Sequence, residues 1–141
     1  MIFPDGIKVY GDKSFRDKNT PKEDAELITF INQVKKKFPD TYGRTILHIK
    51  NEGKRTNEQV SRDKAKGALN TGASDVIIPG NPSFVCELKC KDHTKSKIEE
   101  EQPSYMLACQ RSGAFVCIAL GWSAAWSALV EWDAKSNRDK I

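Results

Sequence analysis

At 141 residues, the chain is long enough to bury one core of a few helices on a sheet, and one domain is expected. Charged residues make up 30% and hydrophobic residues 38% of it, which argues against both a disordered tail and a membrane protein. The net charge is +4, and ten Lys or Arg against four Asp or Glu fall in residues 35–66, a distribution that suits a phosphate backbone as well as it suits a solvated surface.

Residues 1–19 give no useful pattern and are read as an N-terminal extension to a domain spanning 20–141. The first clear element is a helix over residues 20–38, where Leu27, Phe30, Ile31, Val34 and Phe38 form one apolar stripe. Thr20, Pro21 and Glu23 are suited to start it as N-cap, first helical residue and partner in a capping box. Residues 44–50 are rich in β-branched and apolar side chains and predict a strand. A polar break at 51–55 and a mostly polar helix over 57–69 follow. Strands over 74–78 and 83–90 are joined by Pro79-Gly80-Asn81-Pro82, a hairpin signal.

A helix over 99–111 comes next, with Pro103 tolerated in its first turn and Gly113 closing it. Residues 113–130 carry no charge, yet Gly121-Trp122-Ser123 divides them into a strand over 114–120 and a helix over 123–132. A membrane span is therefore not expected. This order of elements predicts an α/β domain with a mixed central sheet of about four strands flanked by helices. The three tryptophans, Trp122, Trp126 and Trp132, are placed like packing residues, for the core or a subunit contact.

Cys86, Cys90, Cys109 and Cys117 contain no C-x-x-C pair, and the two histidines are not spaced for zinc. All four cysteines read as core thiols. No secretory leader pattern opens the chain, so a cytoplasmic location with reduced thiols is expected.

The chemistry centres on residues 84–90, where alternation places Val85, Glu87 and Lys89 on one strand face and Phe84, Cys86, Leu88 and Cys90 on the other. A carboxylate and an ammonium two residues apart could be a solvent-exposed surface pair. Asp75 changes that, because the hairpin brings it back beside Glu87. Two adjacent carboxylates repel unless a cation lies between them. Oxygen ligands without imidazole or thiolate suit Mg2+, with Mn2+ as a substitute. Lys89 on the same face could act on an attacking water, and the combination points to phosphodiester hydrolysis.

Asp75, eleven residues, then Glu87-Leu88-Lys89 resembles the PD-(D/E)XK nuclease signature. The closer resemblance is to its VRR-NUC (virus-type replication-repair nuclease) branch. It is carried by His48-Ile49-Lys50-Asn51-Glu52-Gly53-Lys54-Arg55, Lys64-Ala65-Lys66-Gly67, Gly72-Ala73-Ser74-Asp75, Glu87-Leu88-Lys89 and Gln102, in the family's order over residues 23–132. Ser74 stands where proline often precedes the acidic residue.

The resemblance implies a metal-dependent DNA endonuclease in which Asp75, Glu87 and the Leu88 carbonyl bind the metal, Lys89 acts on the water, and Gln102 orients either. It also implies a glutamate from the first helix. Glu23 falls inside the apolar stripe near Leu27 and Glu26 to one side, which favours Glu23 as the added metal ligand, although Glu23 could serve the capping box alone. Asn51, Lys54 and Arg55, in a loop directly after a strand, are candidate DNA contacts, and Glu52 is a further possible ligand. His48 reads as a structural histidine.

DNA is the expected partner, and a homodimer fits a small domain with no separate DNA-reading module. The family's viral associations suggest a phage or mobile element and a role in replication, repair or recombination. Two rivals are a Holliday-junction resolvase, which needs paired sites, and a nucleic-acid-binding module that does not cut.

Overall fold

The computed structural model describes residues 1–49 and 72–137. The expected helix over 57–69 lies outside them. Helix α1 (Glu23–Lys37) has acidic residues in its first turn and Lys35, Lys36 and Lys37 in its last, which complements the helix dipole at both ends. It begins later than expected, with Lys22 at the N-cap and no side-chain cap. The capping box does not form, because Thr20 and Glu23 are engaged elsewhere. The Thr20 hydroxyl accepts the Asp92 amide at 3.3 Å and the Glu23 carboxylate accepts the Ser96 hydroxyl at 2.5 Å.

The expected strand over 44–50 is partly replaced by a short helix α2 (Tyr42–Thr45), followed by β2 (Leu47–His48). Packing overrides the β-branched composition here. The Tyr42 ring lies 5.0 Å from that of Phe38 and 4.7 Å from that of Trp132, and drawing it into the core curls the chain through Arg44 and Thr45.

Strands β3 (Val76–Ile78) and β4 (Phe84–Lys89) form the anticipated antiparallel hairpin. A single-turn 3-10 helix (His93–Lys95) leads to α3 (Gln102–Arg111), with Pro103 in the first turn. Gly113 follows at φ +99°, a conformation open to glycine and strained for other residues. Strand β5 (Phe115–Leu120) then runs parallel to β4, and α4 (Trp122–Asn137) ends the described chain.

The sheet order is β1-β5-β4-β3-β2. It has five strands rather than about four, the additional one being β1 (Lys8–Tyr10), parallel to β5. Three residues at a sheet edge are held largely by backbone bonds, and these leave little side-chain pattern. Residues 1–19 therefore contribute a strand to the same sheet as the rest.

Helices α1 and α4 cover one sheet face, packing Leu27, Phe30, Val34, Ala125, Leu129 and Trp132 against Val76, Phe84, Cys86, Leu88 and Cys117. Met106 of α3, with Ile7, covers Val85, Val116, Ile118 and Leu120 on the other. Covered on both faces, every residue of β4 is buried. Trp132 is core, and its indole N–H donates to the Pro82 carbonyl at 2.7 Å, which fastens α4 to the hairpin turn. Trp122 and Trp126 are half-buried against the same cluster.

All four cysteines are free; Cys86, Cys90 and Cys117 are buried, whereas Cys109 is half-exposed. The hydrogen bond to Cys117 and burial push the Cys86 thiol up, consistent with an inert core thiol. Among the described residues no helix is long and apolar enough to cross a membrane.

Candidate active site

The hairpin register pairs Val76 with Cys86, so Asp75, one residue before, falls opposite Glu87. Asp75 is half-buried, and its backbone carbonyl accepts the Ile49 amide at 2.9 Å. Its Oδ2 accepts the Leu88 amide at 2.9 Å, which turns the carboxylate toward β4.

Glu87 and Lys89 are only 1% and 3% exposed. A solvated surface pair is thereby excluded. Gln102, the first residue of α3, donates through Nε2 to Glu87 Oε1 at 3.0 Å, while its Oε1 accepts the Glu99 amide at 2.8 Å and lies 3.4 Å from Lys89 Nζ. The side chain thus ties the turn before the helix to the carboxylate and the ammonium.

Lys89 is surrounded by oxygen. Its Nζ donates to the Lys97 carbonyl at 2.7 Å and lies 3.5 Å from Glu87 Oε1 and 3.9 Å from Glu23 Oε1. An ammonium has three donors and no acceptor, so this environment holds it firmly in one place.

Burial, and then the neighbouring Asp75 carboxylate, push Glu87 well above the usual carboxylate range; Lys89 opposes the shift without cancelling it. Glu87 Oε2 is buried, and among the described residues no hydrogen-bond donor reaches it. Such an orphaned oxygen is destabilising unless another group completes it. A hard divalent cation between Asp75 and Glu87 would do so, and Mg2+ commonly uses one or two carboxylates. The donor set fits.

Glu23 does reach the site, but through Lys89 and Ser96. Among the described residues no three of His, Cys, Asp or Glu come together as a metal cage; Asp75 and Glu87 are the two carboxylates that the hairpin register pairs. Glu26 proves to be the buried member of the two, against the helical-wheel expectation. Its Oε2 accepts the Trp122 amide at 2.8 Å at the start of α4, a helix-capping role.

His48 is exposed on β2. Asn51, Lys54 and Arg55, the candidate DNA contacts, and Glu52 lie outside the described residues. Sequence reasoning missed Ser96 and the Lys97 carbonyl. Their one local signal was Asp92 two residues before Thr94, whose carboxylate caps the 3-10 helix by accepting the Thr94 amide at 3.0 Å.

No family model and no curated protein matches the chain. A solved structure, described as a VRR_NUC domain protein, is similar to it with a TM-score of 0.62 and 16% identity, over 85% of this chain and 91% of that one. The chain has the fold of that VRR_NUC domain protein, a mixed five-stranded sheet between helices.

Proposed function

We propose that this chain is a metal-dependent DNA endonuclease that hydrolyses phosphodiester bonds. The observation that carries the reading is the buried Glu87 carboxylate opposite Asp75, whose Oε2 no donor reaches among the described residues, beside the buried ammonium of Lys89. Two repelling carboxylates, one of them buried, destabilise a protein and make sense where a cation is to be bound.

Asp75, Glu87 and the Leu88 carbonyl would hold Mg2+, with Mn2+ able to substitute. When bound, the ion would polarise a phosphoryl oxygen and offset the charge that develops there. The protein's own groups do the rest. Lys89 presents its ammonium to the water or phosphate, Gln102 keeps Lys89 and Glu87 in register, and burial excludes bulk solvent, which strengthens each of these interactions. Lys54, Arg55 and Asn51 are proposed to contact the DNA backbone. The nuclease-type fold agrees with this reading, and a phage or mobile-element role in replication, repair or recombination extends it.

The test is cleavage of plasmid, linear, flapped and junction DNA with and without Mg2+ or Mn2+, by wild type beside Asp75→Ala and Lys89→Ala. Metal-dependent cutting lost in both variants is expected. Retention of DNA without cleavage under every condition would replace the nuclease by a binding module. Symmetric cutting of junctions alone would make it a resolvase acting as a homodimer.

A further inference from the structure

The contacts around Glu23 and Lys89 converge on one dipeptide, Ser96-Lys97. The Ser96 hydroxyl accepts the Cys90 amide at 2.9 Å and donates to Glu23 Oε2 at 2.5 Å. With its oxygen accepting from the amide, the hydroxyl's single proton is directed at Glu23. The adjacent carbonyl, that of Lys97, accepts Lys89 Nζ at 2.7 Å. The other oxygen of Glu23 lies 3.9 Å from the same nitrogen.

We infer that Ser96 is a positioning residue of the active site, holding the Glu23 carboxylate in the orientation that faces Lys89. This rests on the nuclease reading above. Glu23 sits in the first turn of α1 and is half-exposed, so without an anchor its side chain would sample several rotamers in water.

The anchor is itself rigidly mounted. Asp92 caps the 3-10 helix, the Ser96 amide donates to the His93 carbonyl at 3.1 Å, and Asp92 Oδ2 accepts the Asp17 amide at 2.8 Å. His93 Nε2 lies 3.0 Å from the Lys13 carbonyl. The N-terminal segment thereby braces the loop that holds Ser96. A hydrogen bond to a carboxylate from such a mount fixes direction as well as distance.

The experiment measures kcat and KM for Mg2+-dependent DNA cleavage by wild type, Ser96→Ala, Ser96→Thr, Glu23→Gln and the Glu23→Gln/Ser96→Ala pair, with a thermal melt of each. Ser96→Ala is expected to lower kcat about tenfold, the loss of one charge-assisted orienting bond, with KM within about twofold. Ser96→Thr, which keeps the hydroxyl, is expected to recover most of the rate. On the Glu23→Gln background Ser96→Ala is expected to lower kcat by less than about twofold, because the group it positions has changed.

An equal, multiplicative loss on both backgrounds would overturn the inference and leave a purely structural serine. So would full activity in Ser96→Ala. If Ser96→Ala does not fold, Ser96→Thr is compared with the isosteric Ser96→Val, and equal rates in those two would overturn it as well. Wild-type protein that cuts no DNA would remove the nuclease reading itself and the inference with it, a result distinct from active enzyme without the coupling.

Discussion

Asp75 and Glu87 lie opposite one another across the β3–β4 hairpin, and their surroundings differ. The Asp75 carboxylate accepts the Leu88 amide at 2.9 Å and is half-buried, whereas Glu87 keeps one oxygen against Gln102 and the other in the interior, where no donor among the described residues reaches it. The pair is therefore asymmetric, with most of the desolvation falling on Glu87. That asymmetry makes the behaviour of the metal-free protein informative.

Glu87→Gln is expected to stabilise the metal-free protein while abolishing cleavage. Burial raises the folded-state pKa of Glu87 above its unfolded value. Stability from the neutral carboxyl is thus fully present below about pH 4 and is lost as pH rises through the folded pKa. Glutamine carries no such dependence and can still accept from Gln102. In thermal melts with chelator, the variant's lead should grow as pH rises above about 4. A lead that shrinks with rising pH would contradict the assignment.

Lys89→Ala separates chemistry from metal binding. Removing the ammonium should lower the cleavage rate at least about 100-fold, as expected for loss of a transition-state contact. Asp75 and Glu87 remain, so Mg2+ or Mn2+ affinity measured by calorimetry should survive, whereas Asp75→Ala should weaken it. Loss of metal binding in Lys89→Ala to the same extent would place the lysine in the metal site's folding and not in its chemistry.

Glu26 and Glu23 sit one turn apart on α1 and should respond in opposite ways. Glu26 joins α1 to the start of α4 through the Trp122 amide, so Glu26→Ala should destabilise the fold by about 1–2 kcal/mol, the range for losing a helix cap. Its kcat should stay near wild type below the melting temperature. Glu23→Gln should lower kcat and barely move the melt.

Asp92 ties the N-terminal segment to the loop after β4. The Thr94 hydroxyl, then the Asp17 amide, hold its pKa down at about 2. A depressed carboxylate contributes stability that is present above its unfolded pKa, about 4, and is lost as pH falls through the folded value. Wild type should therefore be more stable than Asp92→Asn at pH 6, and the gap in circular-dichroism melts should close between about pH 4 and pH 2. A gap constant across that range would exclude the ionised carboxylate as its source.

Trp132 is almost fully buried and donates to the Pro82 carbonyl. Trp132→Phe should cost about 1–3 kcal/mol, from the lost hydrogen bond and the small void left behind. Urea denaturation, read at unchanged m-value, is the measure.

The elements most legible in the sequence were those whose signal is local. The stripe through Leu27, Phe30 and Val34 marked α1, the Pro79–Pro82 turn marked the hairpin, and alternation through β4 set Glu87 and Lys89 on one face. From that register alone Asp75 could be placed beside Glu87, since side chains in a strand repeat every two residues and a hairpin folds them back in fixed pairing. The likeness to VRR-NUC over residues 23–132 predicted the mixed α/β fold that the structural comparison bears out. Arg44 and Thr45, expected at the start of a strand, are helical because the Tyr42 ring packs beside Phe38 and Trp132 and overrides local strand preference.

What tertiary structure alone decided was burial and long-range partnership. Composition could not tell that both faces of β4 are covered, and this is what separates a buried Glu87–Lys89 pair from a surface ion pair. Nor could a helical wheel tell that Glu26 caps α4 while Glu23 reaches Ser96, because a wheel records direction around one axis and not what stands opposite. The β1 edge and the Ser96-Lys97 clamp are made by main-chain groups and by residues distant in sequence. Backbone carbonyls and amides are common to all residues, so only the folded chain selects which of them meet.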